Sequence, residues 1–408
     1  MESRALLRVA VVGCGTAGPA AACLLARQGH RVELFEGAEE CRPVGAGFLL
    51  QPSGMAVLEE LGLLDRVLEK AARIRRLHVV EAGGGDLMDL RYGDLGPACF
   101  GAGLHRPVLL DALLCAMEGS GVTTRWGAEI VAAKPVEPGR QRRAWSLECA
   151  SGERFGGFDL LVVADGARSR LRRLAGGGID RGYPWGAHWF IGRNDGAFPE
   201  DELYQVVRGT RRLCGFLATG CGPGSDERLV SLFWSVRVAD DGAWRRRPLD
   251  DWKAEVLAHC PAAEGLLGQV ASWDDVLLAR YGDVRMRRWH GEGVVVLGDA
   301  GHAMSPQLGQ GVNLALADAA CLARCLSELP LERALPAYTR RRRANLAYYQ
   351  FATRWLTPWF QSDHEWLAPA RRLFFRTAGS VPAARRFMVR TMAGEVFCSR
   401  SWREEGCD

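Results

Sequence analysis

Lysine is nearly absent from this chain. Lys70, Lys134 and Lys253 are the only three, so arginine carries almost all of the positive charge. The balance of 52 basic and 48 acidic residues, for a net charge of +4, is too even to imply a nucleic-acid partner, and no nucleic-acid-binding motif accompanies it. No stretch of roughly 18 apolar residues is free of charges and helix breakers, so no membrane span is expected. The thirteen cysteines contain no CxxC pair and no His/Cys metal spacing, which argues against thiol redox chemistry and against a bound metal. They read as reduced, mostly buried thiols. Internal repeats and low-complexity tracts are missing too. A first strand beginning near Leu7 leaves no room for a signal peptide, and a cytoplasmic protein is expected. The length of 408 residues at 48% hydrophobic suffices for two domains or more.

The strongest positive signal is the stretch LRVAVVGCGTAGPAAACLLARQGHRVELFE, residues 7–36. A short apolar strand runs into Gly13, Gly15 and Gly18, an Ala/Leu helix follows, and a second strand ends at Glu36. In such a unit the first glycine permits the tight turn, the second lets a diphosphate approach the backbone, and the third lets helix and strand pack closely. The helix N-terminus turns its N–H groups toward the phosphates, and Glu36 lies where a carboxylate bonds an adenosine ribose. The pattern predicts a dinucleotide site without distinguishing NAD from FAD. No second GxGxxG follows a strand, which argues against enzymes with two dinucleotide domains.

Further along, Gly45 and Gly47 mark a close backbone approach, and Ser53 is expected to cap a helix bearing Met55, Leu58, Leu61 and Leu64 on one face. Two strands should flank the glycines at 83–85, and Arg106–Pro107 should open an amphipathic helix. A buried strand, Leu160–Ala164, precedes Asp165–Gly166; the carboxylate either serves a ligand or caps the next turn. Residues 179–290 are rich in tryptophan and alternate in strand fashion, which predicts an antiparallel sheet, with a helix over 249–267. At 294–318 a strand leads to Gly298–Asp299, a Pro/Gly loop and a helix starting near Asn313, again favourable to anions. Residues 330–403 read as helices rich in arginine and aromatics. Two readings suit them: a basic amphipathic surface for lipid, or, as the simpler expectation, helices packed on the first domain. Arg340–Arg343 is expected to be a solvated helix face.

Three separated segments, GCGTAGP with Glu36, Asp165–Gly166 and Gly298–Asp299, together resemble the class A flavoprotein monooxygenases, the group that includes p-hydroxybenzoate hydroxylase and the salicylate hydroxylases. The likeness covers about the first 350 residues, and RPVGAGFLLQPSG and LHRPVLLDAL resemble the family's linking segments. It implies an α/β protein: a Rossmann-type FAD-binding domain (1–72, 98–178, 274–330), a mixed or antiparallel-sheet substrate domain (73–97, 179–273) and C-terminal helices (331–408).

The resemblance also implies tightly bound FAD, with NADPH or NADH as electron donor. Gly13, Gly15 and Gly18, helped by Thr16 and Ala17, would hold the diphosphate, and Glu36 the ribose. Arg106 would reach the FAD, and Asp165–Gly166 would support the diphosphate region. After Gly298, Asp299 would bond the ribityl chain. Pro306, Gly309 and Gly311 would lie beside the ring, with the helix start at Val312 and Asn313 aimed at its pyrimidine edge. Gly45, Ala46 and Gly47 would flank the ring, and Arg42 would meet the nicotinamide. The implied reaction uses O2 to hydroxylate an aromatic or polyketide- or quinone-type small molecule through a flavin hydroperoxide. The alternative is a reductase or desaturase acting on a prenyl or polyketide chain. Phe48, Trp189, Phe216 and Trp234 are the substrate-pocket candidates, with Trp185 and Phe233 close behind. His188 is the candidate base, and His302 is expected to pack near the flavin rather than act as one.

Overall fold

The computed structural model describes residues 6–40, 47–136 and 144–398. Its centre is a parallel sheet. The strand Arg8–Val12 lies between Leu160–Val163 and Arg31–Phe35, with Val294–Val296 and Thr123–Arg125 outside them and His290–Gly291 as an antiparallel edge. Leu160–Val163 is buried throughout, as a strand covered on both faces must be. The glycine-turn helix (Ala17–Arg27) and the helix Gly311–Glu328 pack on this sheet, and the aliphatic side chains between them form the largest core.

A seven-stranded sheet forms the second body. Its order is Leu277–Arg285, Ile179–Arg193, Arg228–Arg237, Arg212–Cys221, Glu202–Arg208, Arg76–Glu81 and Asp86–Arg91. All neighbours are antiparallel except Glu202–Arg208 with Arg76–Glu81. Leu277–Arg285 extends this sheet beyond residue 273. One face packs against the short helices between residues 241 and 267. The other meets a three-stranded sheet of Gly47–Leu50, Gly101–His105 and Ala72–Ile74. There a Cβ at Gly103 would stand 1.9 Å from the Ala218 carbonyl oxygen, so no larger residue fits without moving a strand.

Three local expectations are corrected. Ser53 lies inside the helix Pro52–Glu60, not at its cap; Gln51 is extended before Pro52, whose missing N–H suits the first turn. The segment 249–267 is a helix Leu249–Leu257, a break at Pro261 and a short helix Glu264–Leu267, because proline cannot continue the first helix. The tail helices do not pack on the first body alone. The long helix Leu331–Phe360 begins against Gly311–Glu328 and ends against the seven-stranded sheet, where Gln361 donates to the Gly186 carbonyl at 3.2 Å. The helices Leu367–Ser380 and Pro382–Met392 then pack along the Asp86–Arg91 edge.

The arginine run is also not a simple solvated face. Arg342 is buried, donating to Asp318 at 2.7 Å, to Asn345 at 3.0 Å and to the Leu314 carbonyl. Asp318 is fully buried too, and it also accepts from the Gly298 N–H at 2.8 Å and pairs with His302 Nε2 at 2.5 Å. Burial pushes the Asp318 carboxyl up, but His302, Arg342 and these hydrogen bonds outweigh it and hold the pKa near about 2. Arg342→Met, which removes the guanidinium from this buried carboxylate, should cost about 3–5 kcal/mol in a denaturant melt. The depressed pKa makes the Asp318 contribution complete above its ordinary value of 3.8 and lost as pH falls toward about 2. Melts of the parent and of Asp318→Asn should therefore converge over that interval.

Candidate functional site

The glycine turn has the shape its spacing predicts. Gly13 has φ +104°, and a Cβ there would lie 2.4 Å from the Ala164 carbonyl oxygen; a Cβ at Gly18 would lie 1.9 Å from the Gly13 carbonyl oxygen. Gly15 differs, since a Cβ there would meet nothing within 4 Å. The turn is thus closed toward the sheet and helix and open at Gly15, the side from which a diphosphate would approach. Thr16 makes no side-chain capping bond, which leaves the first N–H groups of Ala17–Arg27 to an anion. At the end of the second strand, Glu36 accepts from the Cys14 N–H at 2.7 Å and the Ala38 N–H at 3.0 Å. Each carboxylate oxygen keeps acceptor capacity for ribose hydroxyls.

The late Gly-Asp segment lies against this turn. Gly298 has φ +58°, and a Cβ there would be 3.2 Å from the Ala17 Cβ and 3.4 Å from the Ala315 Cβ. Three segments distant in sequence therefore meet at one point: the glycine-turn helix, Asp299, and the helix Gly311–Glu328. Asp299 acts electrostatically on Arg106, at the head of the helix Arg106–Gly119. Arg106 is exposed along its side chain, yet partial desolvation lowers its pKa while Asp299 opposes the shift. Asp165 answers both of its sequence readings. Ser169 and the Leu171 backbone favour its charged form from the side of the next turn, while its Oδ1 is buried with no hydrogen-bond partner. Burial raises its pKa. An orphaned acceptor beside an open glycine cradle fits a ligand rich in hydroxyl groups, as FAD is. No group of three His, Cys, Asp or Glu among the described residues could hold a metal ion.

The loop expected beside the ring is held from the tail, which the sequence does not reveal. Pro306–Leu308 forms a single turn, with Gly309 left-handed at φ +61°. Gln307 donates to Gln361 at 2.7 Å, Gln310 to the Met392 carbonyl at 2.7 Å, and Thr357 to Ser305 at 3.0 Å. The Asn313 side chain is occupied internally: it accepts from the Gln51 N–H at 2.8 Å and donates to the carbonyls of Leu49 and Gly309. Its contribution to a ligand is confined to its backbone, with Gly311 and Val312, since Leu314 makes the first bond back to Gln310. Arg42, Gly45 and Ala46 lie outside the described residues.

Strand register separates the pocket candidates. His188 pairs with Trp234 and Trp189 with Phe233. Alternation therefore sends His188, Trp234 and Phe216 to the face covered by the short helices, where Trp234 and Phe216 belong to a core with Trp252. His188 is fully buried there, bonded to Asp241 at 2.9 Å and set edge-on to Trp252 and Trp273. Burial lowers its pKa, with Asp241 opposing. These three residues are core, not pocket. Trp189 and Phe233 take the other face, with ring centroids 5.5 Å apart. Trp189 donates to Ser231, whose Cβ would be 2.8 Å from a Cβ on Gly47. That contact ties the aromatic face to the loop expected to flank the ring. Phe48 is half-buried against the core of the parallel sheet. His302 is fully buried, with its Nε2 against Asp318 beside the Gly-Asp segment.

The chain matches the family model described as "FAD binding domain" over residues 7–347. It is 30% identical to a probable 2-heptyl-3-hydroxy-4(1H)-quinolone synthase of Rhodococcus erythropolis, over 81% of this chain and 82% of that protein. It is likewise 30% identical to a 3-amino-4-hydroxybenzoate 2-monooxygenase of Streptomyces cremeus, over 79% of each. Among solved structures, the tetrameric form of 2-methyl-3-hydroxypyridine-5-carboxylic acid oxygenase superposes with a TM-score of 0.74 at 27% identity, covering 86% of this chain and 93% of that one. Replacing Glu36 or Asp299 by alanine should weaken FAD binding about 10- to 100-fold each, read by flavin absorbance after gel filtration.

Proposed function

Because the chain belongs to the FAD-binding domain family that includes these oxygenases, we propose that it is an FAD-dependent, NAD(P)H-consuming monooxygenase that hydroxylates a flat aromatic or polyketide- or quinone-type small molecule. The observation that supports this reading is the packing of Gly298 on Ala17, which sets Asp299 beside the N-terminus of the glycine-turn helix. Gly13, Gly15, Gly18 and the N-terminus of Ala17–Arg27 would hold the diphosphate. Glu36 would take the adenosine ribose and Asp299 the ribityl chain. The N–H groups of Gly311, Val312 and Asn313 would face the ring's pyrimidine edge, where a helix N-terminus stabilises negative charge. When bound, the flavin supplies the redox chemistry, taking a hydride from the nicotinamide and activating O2.

The protein's part is to place the substrate and keep water away. Trp189 and Phe233 offer an apolar floor beside Gly47, while Ser231, Ser235 and Gln361 add neutral polar groups on the same side of the sheet. Gln361 donates to Ser235 at 2.9 Å and accepts from Gln307, so the loop beside the ring and the floor share one amide network. This suits a neutral aromatic ring bearing hydrogen-bonding substituents, as in the quinolone named for the Rhodococcus relative. A cytoplasmic setting, where NAD(P)H is regenerated, belongs to the same reading; no helix among the described residues is long and apolar enough to cross a membrane.

A panel of phenols, quinolones and polyketide aromatics should contain a compound that stimulates NAD(P)H oxidation together with oxygen uptake and leaves as a product one oxygen atom heavier. Stimulated oxidation without oxygen uptake would instead make the protein a reductase. With the active compound, Trp189→Ala should raise KM by roughly tenfold or more. His188→Asn should leave the pH dependence of kcat where it was.

A further inference from the structure

Eight of the twelve large hydrophobic side chains exposed among the described residues lie between residues 351 and 397. Phe351 is 65% exposed, Trp355 41%, Phe374 42% and Leu373 72%. They form one surface. On the long helix, Phe351 and Trp355 are one turn apart. Trp355 lies 5.4 Å from Phe374 on the helix Leu367–Ser380. Tyr348, one turn before Phe351, lies 6.2 Å from exposed Phe387 on the helix Pro382–Met392. The apolar surface thus crosses three helices, and its exposed rings are tryptophan and phenylalanine. A patch that gathers most of the exposed large apolar side chains in one place calls for a covering surface.

Charge identifies what covers it. Residues 340–390 hold eleven arginines, no lysine and two carboxylates, a net charge of +9 in a chain that totals +4, so the remaining residues sum to −5. Several of these arginines are committed inward: Arg342 to Asp318, Arg371 and Arg372 to Glu81, Arg385 to Asp94. Arg340, Arg343, Arg376 and Arg386 have no carboxylate partner among the described residues; Arg343 and Arg376 donate only to backbone carbonyls. Arg340 continues the exposed stripe of Phe351 and Trp355 at helical spacing, and Arg376 and Arg386 are exposed on the two helices that carry Phe374 and Phe387. Aromatic rings flanked by long basic side chains match the interfacial zone of a bilayer, where the rings sit at headgroup depth and the guanidinium groups reach lipid phosphates.

We propose that this face of the three tail helices docks on a membrane surface rich in anionic phospholipid. A second copy of the chain is a poorer occupant, since it would bring two strongly positive faces together. Docking would not insert the protein, and it would set the tail, whose inner face tethers the loop at Pro306–Leu308, between the lipid and the catalytic cradle.

The test uses the flavin-loaded full chain, vesicles of phosphatidylcholine alone, and vesicles that also contain phosphatidylglycerol. The protein should cosediment with the anionic vesicles only, be released by salt, and shift its tryptophan emission to the blue when bound. The triple variant Phe351→Ser/Trp355→Ser/Phe374→Ser and the variant Arg340→Gln/Arg343→Gln/Arg376→Gln/Arg386→Gln should each lower the partition ratio at least about tenfold while keeping their flavin. Protein that stays in the supernatant with anionic vesicles at low salt would overturn the proposal. So would variants that both bind as the parent does, or a dimeric parent that the aromatic substitutions turn into monomers.

Discussion

A single buried carboxylate organises the molecule. Asp318 has no access to water, yet it is charged, because a backbone N–H, an imidazole and a guanidinium converge on it. Each of those partners arrives from a different place: Gly298 from the end of a central strand, His302 from the turn after it, Arg342 from the long tail helix. An unpaired charge at that depth would be prohibitive, so the three must arrive together or not at all. Their meeting fixes Gly298 against Ala17, and with it the distance between the glycine turn and Asp299.

The long helix Leu331–Phe360 extends this constraint across the molecule. At roughly 45 Å for its thirty residues, it is long enough to reach from the parallel sheet to the antiparallel one. Near its start, Tyr338 and Thr339 bond Val296, Trp289 and His290. At its far end, Thr357 and Gln361 hold Ser305 and Gln307 and reach the seven-stranded sheet. The loop beside the expected ring is therefore positioned by residues some fifty positions away, while the sheet that faces it is anchored to the same strut.

What could be read from the sequence was what sits within one short unit. Gly13, Gly15, Gly18 and Glu36 fall in a single strand–helix–strand segment whose chain geometry leaves few alternatives, and the buried strands show themselves as unbroken aliphatic runs. The pocket was harder for a definite reason. Alternation says that neighbours such as His188 and Trp189 point opposite ways, but only the pairing partners say which way is inward, and a shift of one residue exchanges the answers. Arg342 was hidden in another manner. Its neighbours Arg340, Arg341 and Arg343 are exposed, and nothing local marks the one that will find Asp318. Asn313 lies in the first turn of its helix, but its side chain clamps the strand ending at Leu50, which leaves only its backbone N–H for a ligand.

The bond from Gln310 to the Met392 carbonyl has a consequence for biosynthesis. The glycine turn emerges from the ribosome first, and the strands around it can assemble early. The loop at Pro306–Gln310 cannot take its final shape until the helix Pro382–Met392 has been synthesised and has folded back. Completion of that loop is thus deferred by 82 residues, and a nascent chain stalled before that helix would leave Gln310 without its tether.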